Sequence, residues 1–113
     1  MKVRELVEKI GAQALSGEEN LDSEITCGYS CDLLSWVISH AKEGDLWVTV
    51  MNNINILAVA SLVDVACIVI PEDIEIPDSL TEKAREREVT LLSTPLQAAE
   101  LIIKAYELSK NFS

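Results

Sequence analysis

The fold is indicated first by residues 45–51, which read Asp-Leu-Trp-Val-Thr-Val-Met. This stretch is almost uniformly apolar and rich in aromatic and β-branched residues, which is typical of a central strand covered on both faces. Residues 56–63 are apolar nearly all round and predict a short helix buried against the sheet. Residues 66–70 predict a second buried strand, which Pro71 stops. A strand, a helix and a strand in this order indicate an α/β domain.

Outward from this unit, helical and extended periodicities continue to alternate. Further helices are predicted over residues 3–10, 33–42, 79–88 and 95–110, and further strands over residues 12–15, 25–29 and 89–92. In the second of these helices, Val37 and Ile38 are expected to face inward. Because short loops join the elements, we expect one domain over residues 1–113, with a mostly parallel sheet and helices on both faces.

The helix ends are predicted from capping residues. Asp32 is the expected N-cap of the helix over residues 33–42, and Gly44 is expected to close it. Residues 79–82, Ser-Leu-Thr-Glu, match a capping box. Thr94 is expected to cap the last helix, with Pro95 at its first position.

The amino-acid composition limits the classes of partner that this chain can bind. The 113 residues include 19 acidic and 9 basic side chains, a formal net charge of −10, and 49% apolar residues. This balance argues against nucleic acid and against an anionic membrane surface, because both require Lys and Arg to neutralise phosphates. The amino-terminal residues Met-Lys-Val-Arg-Glu do not resemble a signal peptide, and three cysteines are an odd number. We therefore expect reduced thiols and a cytoplasmic protein.

A ligand site is predicted from the architecture, because ligands of parallel sheets bind outside the carboxyl ends of the strands. The loops that follow the predicted strands contain the candidate ligand-binding residues Ser30, Cys31, Asp32, Asn52, Asn53, Asn55 and Thr94. The three asparagines can offer hydrogen-bond donors and acceptors to a small ligand, or cap the next helix. The Thr94 hydroxyl has the same two possibilities, since the amides behind it form a weak anion site.

Other chemistries are disfavoured. The four glycines do not form a phosphate-binding loop. Cys27 and Cys31 do not have the two close ligand pairs of a structural zinc site. Cys31 precedes a predicted helix and is the better candidate for a reactive thiol, but its only possible base, His40, lies two turns into that helix. The acidic loop at residues 72–75 is either solvated or a divalent cation site. We therefore predict no catalytic residue, no metal and no cofactor.

Two long stretches carry a family resemblance. The first reads Cys27-Gly-Tyr-Ser-Cys-Asp-Leu-Leu-Ser35 and is followed by Ala41-Lys-Glu-Gly-Asp-Leu-Trp-Val-Thr49. Together with residues 56–62, 66–70 and 91–96, they make the chain similar to the DRTGG domain family. The resemblance implies an α/β domain like the N-terminal domain of HPr kinase/phosphorylase, whose kinase activity belongs to a separate domain. It also implies a regulatory or ligand-sensing accessory role.

The sequence thus predicts a non-catalytic regulatory module that binds a small metabolite or nucleotide. A homodimer is expected, because the chain has two Trp residues and a helix that is apolar nearly all round. Trp36 is either part of such a contact or a cover for the core edge. The alternative functions are a protein-interaction subunit of a larger complex and a cysteine-dependent enzyme that uses Cys31 with Asp32 or His40.

Overall fold

The computed structural model describes residues 1–109, which form five strands and five α-helices. They alternate along the chain except that the first two strands have no α-helix between them. The strands are β1 (Gln13–Ser16), β2 (Cys27–Ser30), β3 (Asp45–Val48), β4 (Cys67–Ile70) and β5 (Leu91–Ser93). The helices are α1 (Val3–Ile10), α2 (Leu34–His40), α3 (Asn55–Val63), α4 (Asp78–Glu86) and α5 (Ala98–Leu108). A single 3-10 turn at Glu18–Asn20 follows β1.

The strands form one sheet in the order β1-β5-β4-β3-β2. The pairs β2–β3, β3–β4 and β4–β5 are parallel, and each is connected through one helix, as parallel pairing requires. Only β1, at one edge of the described sheet, runs antiparallel, to β5. The predicted fold class, α/β with a mostly parallel sheet, is confirmed.

Helices cover both faces of the sheet. On one face α2, α3 and α4 pack through Val37, Leu57 and Leu80 onto Trp47 and Ile68. On the other face α1 and α5 pack onto the alternate strand residues, which include Leu46, Val48 and Val69. All four residues of β3 are buried, as predicted for a central strand. Burial of both faces explains why this strand has no polar alternation.

Three predicted helix starts are wrong. The N-cap of α2 is Leu33, which makes no side-chain cap bond, so Asp32 does not cap this helix. Helix α4 already begins at Asp78, after Pro77, which places Ser79 within the first turn and rules out the capping box. Helix α5 begins only at Ala98, so Thr94 and Pro95 lie before it. The side chains of Asp32 and Thr94 instead make tertiary contacts, which are described below.

The predicted end of the second helix is also wrong. Helix α2 ends at His40 and has Ala41 as its C-cap, so Gly44 does not close it. Gly44 instead adopts φ +82° in the connection to β3, and its backbone N donates to the Asp64 carbonyl at 2.9 Å. Helix α5 ends at Leu108. The predicted end near residue 110 lies outside the described residues.

Candidate functional site

The loops after β2, β3, β4 and β5 lie side by side along one edge of the sheet. This follows from the register, in which Ser30 pairs with Val48, Val48 with Val69 and Ile70 with Ser93. We call this edge, with the loops 31–33, 49–54, 71–77 and 94–97, the carboxyl edge. It contains Cys31, Asp32, Asn52, Asn53 and Thr94, and it has Ser30 and Asn55 at its borders.

Asp32 connects the first two loops of the carboxyl edge. Its Oδ1 accepts a hydrogen bond from Thr49 Oγ1 at 2.7 Å and another from the Val50 backbone N at 2.9 Å. Beside it, Trp47 Nε1 donates to the Cys31 carbonyl at 3.0 Å. These bonds attach the loop after β2 to the end of β3. Asp32 Oδ1 therefore has a structural role, because it holds the two loops together. A ligand that binds Asp32 would contact a residue that also stabilises the fold.

Thr94 is almost completely buried, with 1% of its surface exposed. Its Oγ1 donates to the Ile10 carbonyl at 2.9 Å, at the end of α1, and accepts from the Leu96 backbone N at 3.3 Å. Its own carbonyl accepts from the Asp73 backbone N at 3.1 Å. The hydroxyl thus stabilises α1 and the loop after β5, and its burial keeps it away from solvent.

The loop after β4 is not simply a solvated acidic segment. Glu72 and Asp73 adopt left-handed backbone conformations with φ of +69° and +53°. The Glu72 carboxylate accepts a hydrogen bond from the Ala98 backbone N at 2.9 Å, at the first residue of α5. A carboxylate at this position satisfies an unpaired helix N–H and interacts favourably with the helix dipole. Glu72 therefore supplies the cap that the sequence assigned to Thr94.

The asparagines lie in the loop after β3, where Asn52 is half-buried and Asn53 is exposed. Asn52 Nδ2 donates to the Glu75 carbonyl at 2.9 Å, and Asn53 Oδ1 accepts from the Asn55 backbone N at 2.9 Å. Asn53 therefore helps to start α3, one residue before the N-cap Ile54. These bonds use one polar atom of each side chain. Among the described residues no partner holds the other atom, so Asn52 Oδ1 and Asn53 Nδ2 are available to a ligand.

A cleft of about 420 Å³ lies between these two asparagines and α4. We call it the asparagine cleft; its lining residues are Asn52, Asn53, Ile54, Pro77, Ser79, Leu80, Glu82, Lys83 and Glu86. Sequence reasoning missed the α4 side of this cleft. The signal was present, since Ser79, Lys83 and Glu86 recur at helical spacing, but the capping-box interpretation of residues 79–82 concealed it.

The other predicted residues do not enter the asparagine cleft. Ser30 lines a smaller cavity of about 150 Å³ between β2, β3 and α5. Cys31 is half-buried, and Asn55 is exposed on α3. The candidates therefore share one edge of the sheet but not one hollow, and a ligand-binding role for each remains a prediction.

A second large cleft, of about 460 Å³, lies at the opposite edge of the sheet. Its walls come from the segments before the parallel strands and include Glu43, Asp64, Arg87 and Thr90. None of the predicted ligand-binding residues lines it.

Helix α2 separates the Cys31 thiol from His40. Cys31 lies before its first turn, and His40 is its last residue, so the helix places about 10 Å of rise between them. The His40 ring stacks on Trp36 with 4.0 Å between the ring centroids, and its Nδ1 lies 3.0 Å from the Trp36 carbonyl.

Burial raises the pKa of the Cys67 thiol to about 12. Within residues 1–109 no group of three His, Cys, Asp or Glu side chains can hold a metal ion.

No helix in the described part of the chain is both long and apolar enough to cross a membrane.

Comparison with known proteins identifies a family and shows similarity to solved structures. The DRTGG domain family matches residues 5–107. The crystal structure of the CBS and DRTGG domains of the regulatory region of a Clostridium perfringens pyrophosphatase, complexed with the activator diadenosine tetraphosphate, superposes with a TM-score of 0.73 at 14% identity. The match covers 90% of this chain and 44% of that one, so this chain spans less than half of the matched structure. Among curated proteins no relative matches.

Proposed function

The chain belongs to the DRTGG domain family, and from this membership we propose that it is a non-catalytic regulatory module that binds a small polar ligand in the asparagine cleft. The observation that carries the proposal is the pair of unused carboxamide atoms, Asn52 Oδ1 and Asn53 Nδ2, at the mouth of this cleft. Its volume of about 420 Å³ is in the range of small-molecule sites.

The lining favours a ligand that combines an aromatic ring with polar edges. Ile54 and Pro77, which are exposed, offer apolar surface against which a ring can pack. Asn52 Oδ1 and Asn53 Nδ2 together offer one acceptor and one donor, the two kinds of group that the edge of an adenine base pairs with. A nucleoside fits this combination, and the diadenosine tetraphosphate bound by the similar pyrophosphatase region supports the nucleotide class.

The charges that line the asparagine cleft limit the number of phosphates that a bound nucleotide can carry. Within residues 1–109, Lys83 is the only basic residue that lines the asparagine cleft, and its Nζ already pairs with Glu86 Oε2 at 3.2 Å. Glu82 and Glu86 lie on the same wall. The whole chain carries −10. Because these carboxylates repel an anionic ligand, we expect adenosine or its monophosphate to bind more tightly than a polyphosphate.

The test is isothermal titration calorimetry of the chain with adenosine, adenosine monophosphate and diadenosine tetraphosphate. The informative variant is Asn53→Asp, which keeps the Oδ1 acceptor for the Asn55 backbone N and removes the Nδ2 donor. We expect this variant to bind at least about tenfold more weakly, because it loses a hydrogen bond and adds a charge.

The matched control is Asn20→Asp, which makes the same chemical change at the opposite edge of the sheet, outside the asparagine cleft. It is expected to bind like the unmodified chain. Absence of heat with all three compounds would overturn the nucleoside assignment. Equal loss of affinity in the two variants would overturn the placement of the ligand in the asparagine cleft, because general electrostatics would then explain both.

The alternative functions differ in support. A cysteine-dependent enzyme is disfavoured, because α2 separates Cys31 from His40. An interaction subunit is compatible with ligand binding, since α2 and α3 contain no Asp, Glu, Lys or Arg and expose Trp36 and Leu62. Ile38, which was expected to face inward, is also exposed, at 46%. Cytoplasmic location and a homodimeric state stay predictions.

A further inference from the structure

The cleft of about 460 Å³ at the edge of the sheet opposite the carboxyl edge has no part in the proposed function. We call it the amino-edge cleft, because its walls come from the segments before β2, β3, β4 and β5 and from the end of α3. Its volume lies in the range of small-molecule sites. In the described part of the chain, no residue lines both this cleft and the asparagine cleft, so a ligand bound here is independent of a nucleoside bound there.

Acidic side chains dominate the lining of the amino-edge cleft. Its charged groups in the described chain are four carboxylates and one guanidinium, from Glu24, Glu43, Asp64, Glu88 and Arg87. Glu24 pairs with the amino group of Met1 at 3.2 Å. Within residues 1–109, the carboxylates of Glu43, Asp64 and Glu88 make no ion pair or hydrogen bond. Because a cleft lined by one sign of charge concentrates ions of the other sign, this cleft attracts a cation.

Arg87 is unpaired although carboxylates line the same cleft. Over the residues that the structure describes, its guanidinium forms no ion pair and no hydrogen bond. A guanidinium presents five N–H donors in a fork that matches the two oxygens of a carboxylate. A carboxylate on the ligand would therefore supply the partner that the described protein does not.

The hydroxyl of Thr90 is an independent sign of a ligand. Thr90 is 4% exposed and lines the amino-edge cleft, and no described residue makes a hydrogen bond to its Oγ1. Every fully enclosed side-chain oxygen and nitrogen in the described chain does have a partner, so the Thr90 oxygen is reached through the cleft that it lines. Since a nearly buried polar group without a partner is unfavourable, a ligand that bonds to this hydroxyl gains binding energy.

We propose that the amino-edge cleft binds a free dibasic amino acid, a ligand with one carboxylate and two positive charges. Its carboxylate pairs with Arg87, and an ammonium group donates to Thr90 Oγ1. Its two positive charges lie among the carboxylates of Glu43, Asp64 and Glu88. An acidic amino acid would be repelled by these carboxylates, and a diamine would leave Arg87 without a partner.

The test is isothermal titration calorimetry of the chain with L-lysine and with cadaverine, which is L-lysine without its carboxylate. L-lysine is expected to bind at least about tenfold more tightly, because only L-lysine can pair with Arg87. L-norleucine lacks the second positive charge and is expected to bind at least about tenfold more weakly than L-lysine. Arg87→Gln is expected to abolish the preference for L-lysine over cadaverine.

Asp64→Asn and Asp73→Asn form a matched pair of variants. Both aspartates are exposed and adopt left-handed backbone conformations, with φ of +64° and +53°, which asparagine also adopts readily. Of the two, Asp64 lines the amino-edge cleft and Asp73 does not. Asp64→Asn is expected to bind L-lysine about tenfold more weakly, whereas Asp73→Asn is expected to bind it like the unmodified chain.

Thr90→Val distinguishes a hydroxyl that binds a ligand from one that stabilises the fold. Because no described residue bonds to this hydroxyl, its removal is expected to leave the melting temperature unchanged or higher, and to weaken L-lysine binding about tenfold. Absence of heat with L-lysine, or equal affinity for L-lysine and cadaverine, would refute the proposal. Equal losses in Asp64→Asn and Asp73→Asn would also refute it, since net charge alone would then explain both.

Discussion

Replacing Thr94 by valine removes a single hydroxyl from the interior and keeps the shape of the side chain. The hydroxyl donates to the Ile10 carbonyl at 2.9 Å, and Thr94 is 1% exposed. Ile10 is the last residue of α1, where carbonyls have no partner within the helix. In the valine variant this carbonyl loses its donor in a place that water reaches poorly, so the free energy of unfolding is expected to fall.

The magnitude follows from the two bonds of the hydroxyl. The bond from the Leu96 backbone N is long, at 3.3 Å, and contributes little. The loss is therefore dominated by the unpaired Ile10 carbonyl, which costs about 2 kcal/mol. For a chain of this size we expect the melting temperature to fall by about 8 °C.

Urea denaturation followed by circular dichroism measures this loss. The control is Thr94→Ser, which keeps the hydroxyl and removes one methyl group, at a cost of about 0.8 kcal/mol. If Thr94→Val is as stable as Thr94→Ser, the hydroxyl does not stabilise the end of α1 and the reasoning is refuted.

Two further predictions concern the interior. Gly17 has φ +77°, and a Cβ there would lie 2.5 Å from Thr90 Cα, whereas Gly11 has φ +62° and nothing within 4 Å. Calorimetric melting should therefore show that Gly17→Ala destabilises the chain by at least about 2 kcal/mol more than Gly11→Ala, and similar losses would contradict the close contact. The Cys67 pKa is raised by burial from 9.0 to about 12, so this thiol stabilises the fold below pH 9 and the stability is lost as pH rises towards 12. Between pH 8 and pH 10, the free energy of unfolding measured by urea titration is expected to fall by about 1.4 kcal/mol more in the unmodified chain than in Cys67→Ala. The same pH dependence in both proteins would contradict the raised pKa of the buried thiol.

Long apolar segments allowed the fold to be predicted well. The helix over residues 3–10 has the predicted bounds, because Val3, Leu6 and Ile10 form one buried stripe and Gly11 takes the left-handed conformation at its end. The strands β3 and β4 lie within the predicted ranges, since strands buried on both faces are recognisable by composition. Such signals are local and do not depend on a partner distant in sequence.

The candidate site was predicted less completely. Its location at the carboxyl edge follows from chain direction in a parallel sheet, and the structure brings the asparagines there. Ser79 and Lys83 were missed as lining residues, because their contribution depends on how α4 packs beside the loop after β3. Glu72, in the loop predicted to be either solvated or a divalent cation site, is exposed, and the sequence did not predict that its carboxylate caps a helix that begins 26 residues later.

Residue order and hydropathy were sufficient to establish an acidic α/β domain with buried parallel strands, because periodicity and net charge are properties of contiguous sequence. Only the tertiary structure determined the hydrogen-bond partners of Asp32, Glu72 and Thr94. A short polar side chain can bond to the next helix turn or to a distant loop with similar energy. The packing of α1, α5 and the strand loops made the distant partners the available ones.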